Sequence, residues 1–125
     1  MEPLTLKGTD ESPEIVMDKS TNVFKIEGKS MPEDVREFYK PLLHWLDAYI
    51  QSPNNDTTLV FRMDYFNSAS SKQILEVLYR LQNLFKKGYK VQVEWHYMID
   101  DEDMEDAGLA FSGILEVPIK LVSYT

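Results

Sequence analysis

An α/β fold, built on a mixed sheet of about four to five strands with helices packed mainly on one face, is what this sequence predicts. Three observations carry that reading. Short runs with strand-like alternation of apolar and other residues recur at residues 23–27, 57–66 and 91–97. Two intervening stretches repeat their apolar residues at helical spacing. The strand–helix–strand order across residues 57–97 calls for a parallel pair joined by a crossover. A parallel sheet covered on both faces would read as almost continuously apolar, so the alternation leaves the second face polar and partly open.

Residues 1–13 are rich in polar, acidic and proline residues and are expected as an extended lead-in, with Leu4 and Leu6 forming at most a short edge strand. Residues 14–18 and 23–27 follow as short strands, joined by the hairpin-turn residues Asp18-Lys19-Ser20-Thr21-Asn22. The first helix is expected behind Ser30-Met31-Pro32-Glu33, which has the form of a capping box with proline in the first turn. Its apolar stripe is Val35, Phe38, Tyr39, Leu42, Leu46 and Tyr49; Pro41 lies off that stripe and is expected to kink the helix rather than stop it.

In the next strand Leu59, Phe61, Met63 and Tyr65 share one face, and Val60, Arg62, Asp64 and Phe66 the other. The helix after it is the firmest local feature: Ile74, Leu75, Leu78, Leu81 and Phe85 form one stripe. Ser70 with Gln73 has capping-box form, Lys86 and Lys87 complement the negative end of the dipole, and Gly88 suits the left-handed stop. With the cap at Ser70, Ser68 stands just outside the helix on the connecting loop, near unpaired amides suited to a phosphate. Val91, Val93, Trp95 and Tyr97 then alternate with Gln92, Glu94 and His96. The acidic residues from Asp100 to Asp106 suit the start of a third helix over 102–111, with Met104, Ala107, Gly108 and Phe111 inward. A last strand spans 119–123.

Composition narrows the function. At 125 residues the chain is most simply one domain, 1–125. A formal charge of -8 argues against general nucleic-acid or anionic-membrane binding. The absence of cysteine removes disulfides, thiolate catalysis and zinc–thiolate sites. No apolar run approaches the ~20 residues of a membrane span, and the opening residues lack a secretory-leader pattern, so a cytoplasmic protein is expected. No cofactor or metal is expected: GxGxxG, Walker, HExxH and GxSxG patterns are all missing. The acidic run does not make a calcium loop, because counting Asp101 as first puts Asp106 where an EF-hand needs glycine.

Two constellations compete as sites. The junction from Asn67 to Ser71 is hydroxyl-rich, yet without a neighbouring base it is poorly suited to nucleophilic catalysis, and capping alone accounts for it. Asp64, Glu94 and His96 on the polar sheet face offer an acid–base alternative, which requires a deep pocket enclosing them. A constitutive interaction domain without a switch is the remaining reading; it requires the Ser68 hydroxyl to be tied up as an ordinary cap.

Tyr65-Phe66-Asn67-Ser68-Ala69-Ser70-Ser71-Lys72 resembles the helix-opening signature of the SiaC-type bacterial regulatory phosphoproteins. Three further islands agree in order: Leu6-Lys7-Gly8-Thr9-Asp10-Glu11-Ser12-Pro13, Gly28-Lys29-Ser30-Met31-Pro32-Glu33, and Trp95-His96-Tyr97 before the acidic stretch. The resemblance implies a non-enzymatic switch with an architecture like the anti-sigma-factor-antagonist (STAS) domains. It implies phosphorylation by a SiaB-like Ser/Thr kinase, reversal by a SiaA-like PP2C phosphatase, and binding of the unphosphorylated form to a GGDEF diguanylate cyclase in biofilm signalling. By position the phosphoacceptor is Ser68, with Tyr65, Phe66, Asn67, Ala69, Ser70 and Lys72 as partner-binding candidates around it. Two departures stand out: serine replaces threonine at the acceptor, and Ala69 replaces a serine.

Overall fold

Six strands, two more than the lower expectation and one more than the upper, form a single sheet in the computed structural model, which describes residues 1–125. They run in chain order, β1 (Leu4–Leu6), β2 (Glu14–Asp18), β3 (Val23–Ser30), β4 (Asp56–Phe66), β5 (Lys90–Met98) and β6 (Ile119–Tyr124). The strand beyond the expected number is β1, the short edge strand that Leu4 and Leu6 allowed within the extended lead-in. It pairs antiparallel with β2, and the Trp45 indole N–H donates to the Glu2 carbonyl at 2.8 Å, so distant residues order this segment.

β2 and β3 form the expected hairpin, whose turn is held by Asp18 Oδ1 accepting from the Ser20 amide at 3.0 Å and the Ser20 hydroxyl at 2.8 Å. From β3 onward every neighbouring pair is parallel, as crossover helices require. α1 (Val35–Tyr49), α2 (Ser68–Lys86) and α3 (Glu102–Ile114) supply those crossovers. The C-terminal ends of β3, β4 and β5 therefore lie along one edge of the sheet, where α2 and α3 begin.

Alternation sorts the two faces. Ile15, Met17, Phe24, Ile26, Leu59, Phe61, Met63, Val91, Val93 and Trp95 are buried and merge with the inward stripes of all three helices in one hydrophobic cluster. Each such large side chain stabilises the fold by roughly 1.5–3 kcal/mol on leaving water. Lys25, Glu27, Arg62, Glu94 and His96 remain partly or fully exposed on the opposite face. α1 continues through Pro41, whose exposed position spares the buried Tyr39, Leu42, Leu46 and Tyr49. In α2 the buried line is Ile74, Val77, Leu78, Leu81 and Leu84, displacing Leu75 and Phe85 to its margins. Gly88 stops α2 at φ 98°, with its amide donating to Phe85 O at 3.0 Å.

α3 is three residues longer than expected, and its inward residues are as read. Trp95 explains Gly108: a Cβ there would lie 2.5 Å from the indole Cδ1. The indole cannot easily retreat, because its N–H donates to Met104 O at 2.9 Å and its ring packs on Phe61, Phe66 and Phe111.

Candidate functional site

The end of β4 departs from simple alternation. The β3–β4 register passes from Gly28 opposite Met63 to Lys29 opposite Tyr65, leaving Asp64 as an extra residue on β4. Gly28, at φ 115°, supplies the backbone freedom at this irregularity. The bulge reverses the faces expected for the last two residues. Tyr65 turns outward and is 50% exposed, whereas Phe66 turns inward against Trp95 and Phe111, with ring centroids at 6.0 and 6.5 Å. Tyr65 is thus accessible to a partner, and Phe66 belongs chiefly to the core.

α2 starts immediately afterwards. Its cap is Asn67 rather than Ser70: the Asn67 side chain accepts from the Ser70 amide at 2.9 Å. Ser68 is consequently the first residue of the helix, not a loop residue. Its side chain is exposed and its hydroxyl makes no hydrogen bond. The amides of Ser68 and Ala69 have no intrahelical acceptor at this position, so they and the helix dipole favour negative charge. A similar shift occurs at α1, where Asp34, not Ser30, caps by accepting from the Glu37 amide at 3.3 Å.

The two serines displaced from capping are buried together. Ser30, the last residue of β3, and Ser70 are both fully buried, as is Tyr39 of α1. The Tyr39 hydroxyl lies 2.7 Å from Ser30 Oγ; Ser30 Oγ donates to Ser70 Oγ at 2.8 Å, and Ser70 Oγ donates to the Ser30 carbonyl at 2.8 Å. Because the single Ser30 hydroxyl proton points to Ser70, the Tyr39 hydroxyl is the donor to Ser30. Burial pushes the Tyr39 phenol up to about 12, keeping it a donor at neutral pH. The Asn67 amide also donates to the Ser30 carbonyl, at 3.1 Å. These bonds join β3, α1 and the start of α2, and they remove Ser70 from the accessible surface.

The structure therefore brings Tyr65, Asn67, Ser68, Ala69 and Lys72 to one accessible region and withdraws Phe66 and Ser70. Ser71 is half-buried, its amide bonded to Asn67 O at 3.0 Å. Sequence reasoning missed Ser30 and Tyr39 as supports of the turn, because Ser30 had a plausible local role in capping α1 and Tyr39 one in its apolar stripe. Their partners lie 9 and 40 residues away.

The acid–base alternative lacks the enclosure it needs. Glu94 Oε1 and His96 Nε2 do meet, at 2.9 Å, but on the uncovered sheet face. Asp64 lines a separate surface cleft with Arg62, Met98 and Tyr124, a cleft whose walls do not include Glu94 or His96. Arg62 stacks over the Tyr124 ring at 4.0 Å. No group of three or more His, Asp or Glu side chains is placed to hold a metal ion. No helix is long and apolar enough to cross a membrane.

The family model described as "SiaC family regulatory phosphoprotein" matches residues 6–124. The chain belongs to the SiaC family. The matched range includes Tyr65 to Lys72, which runs from the end of β4 into the exposed start of α2, and the family is one of regulatory proteins rather than enzymes. An uncharacterised protein of Pseudomonas aeruginosa strain UCBPP-PA14 is 27% identical over 97 residues, covering 78% of this chain and 77% of that one. SiaC of Pseudomonas aeruginosa has the same fold, with a TM-score of 0.90 at 22% identity over 99% of this chain and 100% of that one. The structure of the Pseudomonas aeruginosa diguanylate cyclase SiaD in complex with its activator SiaC contains a similarly matching chain, with a TM-score of 0.91 at 23% identity over 97% and 99%.

Proposed function

We propose that this SiaC-family protein is a cytoplasmic binding switch, whose unphosphorylated form engages and activates a GGDEF diguanylate cyclase and whose phosphorylation at Ser68 ends that engagement. The observation that carries the reading is the contrast within one helical turn: the Ser68 hydroxyl is exposed and unbonded, whereas Ser70 is buried in two hydroxyl hydrogen bonds. A constitutive binder would be favoured by an acceptor hydroxyl consumed in capping, and Asn67 fills that role instead. The sheet with helices on one face suits a partner-switching domain of the STAS type. The comparison supporting the cyclase is the complex of SiaC with SiaD in Pseudomonas aeruginosa.

In the forward step Ser68 Oγ attacks the γ-phosphorus of ATP held by a Ser/Thr kinase, ADP leaves, and the hydroxyl proton passes to the kinase base. A PP2C-type phosphatase reverses the modification by hydrolysis, restoring serine and releasing inorganic phosphate. The phosphate brings about -1.5 to -2 charge. The helix N-terminus tolerates that charge, so the fold persists while an interface built on the turn is disrupted.

Intact-mass analysis and phosphopeptide mapping of protein from its own cells, with and without phosphatase activity, test the acceptor. One phosphate on Ser68, enriched without phosphatase, is expected; modification only elsewhere would overturn the assignment. Against the purified cyclase of the same organism, Ser68→Ala should bind and activate constitutively, and Ser68→Asp should bind poorly.

A further inference from the structure

Beside Ser68 the starts of α1 and α2 frame a cleft, and its chemistry identifies what fits there. Val35 of α1 and Ala69 and Leu75 of α2 provide apolar wall, while Arg36 and Lys72 bring exposed cations from the two helices. Neither cation forms an ion pair, although the chain carries a formal charge of -8. The acid that also lines the cleft, Glu76, is engaged by Arg80 at 3.1 Å, and Arg80 contacts Asp47 at the same distance. Past Gln73 the groove continues between the two helices as a polar cleft of mixed charge, lined by Glu37, Lys40, His44 and Asp47, so the apolar, net-cationic part is confined to the end beside Ser68. At that end, an apolar patch flanked by two unneutralised cations complements an apolar segment bearing carboxylates and opposes a basic one.

We infer that this α1–α2 cleft seats an acidic, apolar segment of the partner, and that phosphate on Ser68 closes the seat by taking up Lys72. Ser68 and Lys72 are four residues apart in α2, which puts them on one side of the helix, with the anion N-terminal to the cation in the favourable order. The phosphate removes the attraction Lys72 offers and adds a like charge beside the partner's carboxylates. Both effects weaken the unmodified complex. The inference rests on the switch reading and deepens it by naming the surface, the partner chemistry and the residue through which the modification acts.

The experiment uses the full chain and the purified GGDEF cyclase of the same organism, with affinity measured calorimetrically at low and high salt. Arg36→Glu/Lys72→Glu should weaken binding at least ~30-fold, because like charges then face each other across the contact. Wild-type affinity should fall as salt rises. Lys86→Glu/Lys87→Glu makes the same net charge change at the far end of α2 and should leave affinity within about twofold. Circular dichroism and thermal melts on every variant distinguish lost binding from lost folding.

Binding by wild type with equal affinity in Arg36→Glu/Lys72→Glu would overturn the cleft while preserving the functional reading. Equal losses in the two double variants would likewise overturn it, by showing a dependence on net charge alone. Complete failure of wild type to bind the cyclase would remove the functional reading and the cleft assignment with it. Concentration-dependent self-association, abolished by Arg36→Glu/Lys72→Glu, would assign the cleft to a second copy and overturn the inference.

Discussion

The buried and solvent-facing sides of α2's first turn separate the structural chemistry of this protein from its accessible chemistry. Ser70 projects to the covered side, where Ser30 and Tyr39 satisfy it. Two residues earlier Ser68 projects to solvent and bonds to nothing. The same residue type in the same helical turn is thus a buried structural group at Ser70 and an exposed, unbonded hydroxyl, the proposed acceptor, at Ser68. Orientation and local partners, rather than serine's intrinsic chemistry, create the difference.

Perturbing the covered side should have the larger effects on stability. Gly108→Ala forces a methyl group toward a hydrogen-bonded, aromatic-packed Trp95 and should cost about 3 kcal/mol in a denaturant titration. An unchanged midpoint would mean that α3 can move away without penalty.

Tyr39 gives the next effect. Its folded pKa of about 12 lies above the ordinary value of 10.0, so in that window the folded protein retains a proton that the unfolded chain releases. Its contribution is present below pH 10 and declines as pH rises toward 12, by roughly 2–3 kcal/mol across the window. Tyr39→Phe should flatten that part of the stability–pH curve relative to wild type. An identical slope would show that other groups dominate the alkaline transition.

Asn67 lies at the boundary between the two environments. Asn67→Ala removes the acceptor for the Ser70 amide and should cost about 1 kcal/mol, with faster hydrogen exchange concentrated in α2's first turn. Undisturbed exchange would show that the hydroxyl chain alone holds the turn. The smallest stability effects should come from the exposed positions. Ser68→Ala should change stability by no more than ~0.5 kcal/mol while altering the switch, since it removes no hydrogen bond. A larger loss would make Ser68 a structural residue.

Much of this division was legible along the chain. The stripes of α1 and α2 had a clear helical period, the β2–β3 turn had its expected residue types, and the inward set of α3 matched Met104, Gly108 and Phe111. The signature around Ser68 located the candidate acceptor. The departures occurred where a residue had more than one physically reasonable local role. Ser30 and Ser70 both satisfied capping-box patterns, yet Asp34 and Asn67 took the caps. Leu4 and Leu6 made a weak strand pattern, but pairing with β2 ordered it.

By itself, then, the sequence determined which segments form helices and strands, that the sheet has one apolar face, and where an unusual hydroxyl-rich turn begins. Those properties arise from periodicity and from interactions a few residues apart. Only the tertiary structure decided that Ser70 is buried while Ser68 is free, that Phe66 rather than Tyr65 enters the core, and that Arg36 stands across from Lys72. A bulge belongs to a pair of strands, a buried hydroxyl depends on a partner 40 residues away, and a cleft requires two helices; none is a property of one local segment.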